Sequence, residues 1–362
     1  MPSFIRSSLL FALGVVGCLL ACELVLRALP VYIALTGASN TDRAPLLDNE
    51  PHTSYRYSAK WFMNNPLAGR TNNYGQTVSY DYAKNSRPMI VVGDSFVESL
   101  MNPEPVRIQS VLAQDSGLPV YALGASGLSA SDYLMMAREA HAEFKPRAAV
   151  FAIIDGDFVD SLSPKARRFH VSFDAQGREQ MHFTASPPSA SLRKLRDAVG
   201  DVALIDYMLY NLGFTAEALK LKLPELSHVP KPAQRKTGTD AAAIQAVVDW
   251  FLAELPRALD LPPQCIAFAV DADRYALYDP KLKSKPQDPP EVRRHLVEAA
   301  RAKGFNVVDL APVFAAGYAR DGLKFDHWPL DRHWNALGHA TVAHAVEAGW
   351  PDKAACGIEE KK

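Results

Sequence analysis

The chain has 362 residues, and its 39 Lys and Arg against 40 Asp and Glu leave a net charge of −1. That length suits one large domain or two small ones, with a core that needs no staples. Balanced charge removes any general pull on nucleic acid, and 48% apolar with 22% charged residues excludes a wholly disordered chain. The four cysteines, Cys18, Cys22, Cys265 and Cys356, contain no CxxC pair. They are no disulfide framework and no four-cysteine zinc site, although Cys265 and Cys356 can pair.

Arg6 and Arg27 bracket twenty residues, 7–26, in which only Glu23 is charged. Twenty helical residues span about 30 Å, the hydrocarbon thickness of a bilayer. A cleaved signal peptide would end at a small-x-small site, but Leu24-Val25-Leu26 carries the apolar character past any such site. A lipoprotein is the other rival. Val15-Val16-Gly17-Cys18 and Leu19-Leu20-Ala21-Cys22 resemble lipoboxes, yet neither cysteine is followed by a polar tether. We therefore read residues 1–30 as a membrane anchor. The bracketing charges favour a cytoplasmic N-terminus, which places the catalytic domain on the periplasmic side of the inner membrane.

Residues 31–85 are polar and turn-rich, with Thr71-Asn72-Asn73-Tyr74-Gly75 as a turn signal, and read as a tether and irregular segment. The domain proper is expected over 86–350. Five apolar runs read as buried strands of a parallel sheet: Met89–Val92, Val120–Leu123, Ala148–Ile154, Cys265–Val270 and Asn306–Leu310. Between them, Val106–Asp115, Ala130–Phe144, Ala241–Leu259 and Pro290–Lys303 repeat apolar residues at three- and four-residue spacing. Such alternation predicts an α/β fold with a doubly wound parallel sheet. An insertion interrupts it over about 158–239, with a hairpin over Val171–Phe183 and a helix over Leu192–Leu223. Residues 351–362 read as a polar tail, of which Gly357–Lys362 is charged and expected to fray.

In open α/β sheets, ligands bind beyond the carboxyl ends of the strands. Three segments leave strands there: Gly93-Asp94-Ser95, Gly124-Ala125-Ser126-Gly127 and Asp155-Gly156-Asp157. A fourth, between Phe325 and His339, carries Asp326, His327, Asp331 and His333. Ser95 sits at a strand-to-helix turn, as a nucleophile would. Asp331 and His333, two apart, face one side of an extended loop, so the carboxylate can orient the imidazole that takes the serine proton. Each piece has a plainer reading. Ser95 with Glu98 matches a capping box, His333 can be structural beside Trp334, and the Asp/His cluster could hold a metal, although no recognised metal spacing supports that. The conjunction is what points to catalysis.

That conjunction resembles the SGNH (GDSL-like) hydrolase superfamily, and the resemblance covers about 86–350 plus the anchor. Gly93-Asp94-Ser95 is similar to its nucleophile block and Gly124-Ala125-Ser126-Gly127 to its glycine block. Asp331-Arg332-His333-Trp334-Asn335 resembles the Asp-x-His block of membrane-anchored bacterial members such as alginate-acetylation-type proteins. The resemblance implies a three-layer fold and Ser95, His333 and Asp331 as the catalytic residues. It implies an oxyanion hole from the Ser95 and Gly127 N–H groups, an acyl ester substrate, possible on an acetylated glycan, and no metal or organic cofactor. Water as acceptor would make the protein an esterase, and a sugar hydroxyl an O-acetyltransferase. The family's third block has Asn before Asp. Here Gly156 stands at that position ahead of Asp157, which removes a donor worth about 10²–10³ in turnover. Asn102 or a backbone N–H is the candidate replacement. Without one, a non-catalytic binding or scaffold protein is the remaining reading.

Overall fold

The computed structural model describes residues 3–38, 45–174, 176–185, 202–214, 240–283, 285–350 and 353–358. The chain forms two compact units. The first comprises Met1–Thr36, Ser54–Gly69 and Pro187–Val229; the second comprises Gly37–Thr53, Arg70–Ser186 and Pro230–Lys362. The stretch 31–85, expected as one tether, is thus shared between them, and so is the insertion 158–239.

In the first unit, α1 (Ser3–Ala28) is a continuous apolar helix. It is followed by the hairpin strands β1 (Ser54–Ala59) and β2 (Asn64–Arg70). A short helix, Ala203–Asp206, continues as a π-helical turn through Asn211. Asn211 is buried and ties this unit together, its side-chain oxygen accepting the Tyr32 N–H and its amide donating to the Ser58 and Lys60 carbonyls. Of the helix expected over Leu192–Leu223, residues 192–201 and 215–223 lie outside the described residues.

The second unit is built on a five-stranded parallel sheet: β3 (Met89–Gly93), β4 (Val120–Gly124), β5 (Ala148–Ile153), then β8 (Ile266–Val270) and β9 (Asn306–Asp309). Between β5 and β8 lies the expected hairpin, β6 (Arg168–Phe173) and β7 (Glu179–Thr184), with Val171 opposite Met181. The sheet order is β4-β3-β5-β8-β9, the doubly wound order in which the first strand lies inside the second. In register, Gly93 faces Gly124 and Val92 faces both Leu123 and Phe151. The first four strands are fully buried, which is why their sequences read as unbroken apolar runs.

The helices cover both faces. Beyond the one-turn α2 (Ser95–Glu98) come α3 (Ile108–Ser116), α4 (Ala130–Phe144), the one-turn α5 (Asp157–Asp160), α6 (Ala241–Leu259), α7 (Pro290–Ala302), α8 (Leu310–Asp321) and α9 (Ala336–Ala348). Helices α4, α6 and α7 pack side by side, while α3, α8 and α9 form the other layer. In α6 the buried stripe Ile244, Val247, Val248, Phe251, Leu255 and Leu259 gives the helical period, and the Asp240 side chain caps the start by accepting the Ala242 N–H. Residues 353–358 are held to the second unit. Cys356 is disulfide-bonded to Cys265, Ile358 is buried, and Arg147 donates to the Gly357 carbonyl at 2.9 Å. Residues 351–352 and 359–362 of the expected tail lie outside the described residues.

Candidate active site

The winding of the sheet reverses between β3 and β5, so their loops diverge and leave a crevice. Buried β3 leads into Asp94, whose carboxylate accepts the Phe96 N–H at 2.9 Å and whose carbonyl accepts those of Val97 and Glu98. Asp94, not Ser95, is therefore the cap of α2. The Ser95 side chain instead donates to His333 Nε2 at 2.8 Å, and His333 Nδ1 lies 2.5 Å from Asp331 Oδ1. The imidazole holds Asp331 down at about 2, well below the usual carboxylate range, so Asp331 is ionised and accepts only. The Nδ1 position must then carry the proton, which leaves the Nε2 lone pair for the serine hydroxyl. Burial depresses the His333 pKa, but the Asp331 carboxylate outweighs it and the net shift is upward.

A second tier of contacts holds the Asp/His loop. Asp331 Oδ1 also accepts the His333 N–H at 3.0 Å. Arg274, nearly inaccessible, donates to the Arg332 carbonyl at 2.7 Å and to Asp326 at 2.6 Å, and it also pairs with Asp271. Tyr275 donates to the Asp331 carbonyl, and the Trp334 indole N–H to Asp271. The Phe96 ring packs 4.6 Å from the His333 ring. Arg274 and Asp271 did not emerge from the sequence. The signal was available, because Asp271-Ala272-Asp273-Arg274 leaves the end of β8 as the other three segments leave theirs.

The remaining members of the Asp/His cluster go elsewhere. Asp326 accepts from Arg274 and from Tyr278 at 2.5 Å, and His327 Nε2 lies 3.1 Å from Asn102 Oδ1. Asn102 is no substitute oxyanion donor, since its amide hydrogens go to the Trp334 carbonyl and to Ser99 Oγ. His339 is fully buried beneath the loop. Its Nδ1 accepts the Ile108 N–H and its Nε2 donates to Ser99 Oγ at 2.9 Å, and burial pushes its pKa down to about 3.

The glycine block closes the crevice on the β4 side. A Cβ on Gly124 would lie 2.7 Å from the Glu98 nitrogen, so this glycine lets the turn of α2 sit on the strand end. Beyond it, the buried Glu98 carboxylate accepts both the N–H (3.1 Å) and the hydroxyl of Ser126. Burial, with Asp48 nearby, pushes Glu98 up to about 7. From the opposite side Arg168, paired with Asp48, donates to the Ser126 carbonyl at 2.7 Å. In a trans peptide the N–H points opposite to the C=O, so that contact aims the Gly127 N–H away from Arg168. Among the described residues neither the Gly127 N–H nor the Ser95 N–H has a hydrogen-bond acceptor. Gly127 itself has φ +77° and open space around it.

The third block differs. Gly156 does stand at the β5 end, but its N–H is taken by Asp288 Oδ2 at 3.0 Å, and Asp288 also accepts the Val159 N–H. Its φ is +105°, and a Cβ there would lie 3.1 Å from the Gln287 amide. Asp157 points inward, accepting from the Ile154 N–H at 2.8 Å and from Tyr133, and burial drives it well above the carboxylate range. As an oxyanion donor the Gly156 position is used up by the fold. Beside it a cavity of about 510 Å³ opens between the ends of β5 and β8, walled by Phe96, Ile153, Ile154, Phe158, Val270 and Arg332 among others.

No protein-family model matches the chain, and no curated protein matches its sequence. Among solved structures it is similar to a lipolytic protein of the G-D-S-L family from Veillonella parvula, with 11% identity and a TM-score of 0.36, covering 72% of this chain and 96% of that one. It is similar to a lipase/acylhydrolase from Enterococcus faecalis, with 13% identity and a TM-score of 0.36, covering 76% and 99%. A third is the acetyl xylan esterase Est2A from Butyrivibrio proteoclasticus, with 9% identity and a TM-score of 0.32, covering 81% and 68%.

Proposed function

We propose that this protein is a serine esterase of the SGNH type, tethered through residues 7–26 to the inner membrane with its second unit on the periplasmic side. The observation that carries the enzymatic part is the unbroken row Ser95–His333–Asp331, at 2.8 and 2.5 Å, at the crevice of a doubly wound sheet. The Cys265–Cys356 disulfide supports the compartment, since such bonds persist on the oxidising side of the membrane.

Ser95 Oγ attacks the ester carbonyl carbon as its proton passes to His333 Nε2. The carbonyl π electrons move onto oxygen, where the Ser95 and Gly127 N–H groups receive the charge. Collapse breaks the bond to the alcohol oxygen, and His333 returns its proton to that leaving group. Water then attacks the acyl-serine with His333 again as base, releasing a carboxylic acid and restoring Ser95. Asp331 keeps the proton on Nδ1 throughout.

The test is hydrolysis of aryl acetate and longer aryl esters by the full-length chain in detergent, with and without an oligosaccharide acceptor. Turnover that Ser95→Ala removes supports the esterase, and acyl transfer to the sugar would redefine it as an O-acetyltransferase. A folded wild type that turns over no acyl ester would leave a binding or scaffold protein.

A further inference from the structure

The first unit carries an apolar surface that the catalytic reading does not use. Within the membrane-length part of α1, Phe4–Ala28, an 18-residue stretch has a mean hydropathy of 2.6 and none of that stretch is buried. Counted from Ser7 at 1.5 Å per residue, the roughly 30 Å of hydrocarbon ends at Leu26, which leaves Glu23 about one turn inside the boundary. Glu23 is satisfied at that depth. Its carboxylate accepts the N–H groups of Ala203 (3.1 Å) and Leu204 (2.9 Å) and pairs with Arg27 at 2.7 Å. The helical segment Ala203–Asn211 therefore starts within about one turn of the lipid boundary. Its large apolar side chains face outward, with Ile205, Met208, Leu209, Tyr210, Leu212 and Phe214 all exposed. Polar Asn211 points inward. This is the reverse of a helix in water.

The turn of the β1–β2 hairpin adds Trp61, 67% exposed, and Phe62, with ring centroids 5.5 Å apart. It is fixed to the same segment, because Tyr207 donates to the Trp61 carbonyl at 2.7 Å. Trp and Tyr concentrate at membrane–water interfaces, and an outward apolar surface beside a hydrophobic span is the mark of an interfacial helix.

We propose that this surface lies in the bilayer interface, with Ile205, Met208, Leu209 and Leu212 and the ring pair Trp61–Phe62 immersed among the headgroups and upper acyl chains where α1 emerges. The partner is lipid, and Arg27, Arg56 and Lys60 on the same unit suit an anionic leaflet. The proposal rests on the reading of α1 as a span.

It is tested by reconstituting the full-length chain into vesicles of equal parts phosphatidylcholine and phosphatidylglycerol, with acyl chains brominated near the headgroup or near the chain end. Trp61 is one of five tryptophans, so the difference between wild type and Trp61→Phe isolates its emission. Near-headgroup bromine should remove most of that difference signal, and chain-end bromine should remove less. If the chain resists alkaline extraction while the Trp61 signal is unquenched and open to aqueous acrylamide, the surface faces water or a protein and the proposal fails alone. If alkali releases the chain, the span reading fails and takes the proposal with it.

Discussion

The ends of β3 and β5 flank one crevice and handle their backbone amides in opposite ways. At the β3 end, the Asp94 side chain caps the turn by accepting the Phe96 N–H, and the Ser95 N–H has no acceptor among the described residues. At the β5 end, Asp288 reaches back from a loop 132 residues away and takes the Gly156 N–H. A strand end offers donors by default, and whether they face a ligand depends on what else reaches them. Here the Ser95 side and the glycine block stay open, and the third block is closed by the protein itself.

The largest effect that can break this comparison is Ser95→Ala. Turnover should fall by about 10⁴-fold or more, while thermal stability stays near wild type, because Ser95 caps nothing. Unchanged turnover would remove the open side from the chemistry. His333→Ala should be comparably damaging. His339→Ala should instead strip partners from the Ile108 N–H and Ser99, cost about 1–3 kcal/mol of stability and leave the folded enzyme active. A dead but fully stable His339→Ala would reverse those assignments.

The glycine block can be sharpened by pH. His333 must be neutral to accept the serine proton and its pKa is raised, so kcat/KM should climb with pH above the ordinary histidine value. Glu98, pushed up to about 7, holds the N–H and the hydroxyl of Ser126 more strongly once ionised, because both bonds then end on a charged oxygen. Two deprotonations then favour activity, and the acid limb should be steeper than a single titration. Glu98→Gln should reduce kcat about tenfold, equivalent to ~1.4 kcal/mol, leave KM nearly alone and return the limb to a single titration. A Gln variant with wild-type slope would show that Glu98 only packs.

The smallest effect belongs to the closed side. Gly156→Asn places a side chain at φ +105° against Gln287. It should cost about 1–3 kcal/mol and bring no gain in turnover. A tenfold gain, measured beside Asp155→Asn as control, would mean that the third block is open after all.

The sheet was legible because its strands are buried on both sides, so Met89–Gly93 or Ala148–Ile153 could be read without any partner. The meeting of Ser95 with His333 and Asp331 was legible because Ser95 follows a strand and the other two are neighbours in sequence. What stayed hidden depends on distant pairing. Nothing near Gly156 announces Asp288, and nothing near Asn102 shows that its amide is consumed by Trp334. The hairpin of 54–70 joins the first unit through Asn211, far along the chain, so a run of polar residues there read as a tether.

The most direct measurement is the intact mass and peptide map of the full-length chain after exposure to a fluorophosphonate. Only a serine activated by a base reacts. One adduct should form, on the peptide containing Ser95, and it should be lost in His333→Ala while surviving in Gly156→Ala. A folded wild type that takes no label, or takes it on another serine, would contradict the Ser95–His333–Asp331 assignment.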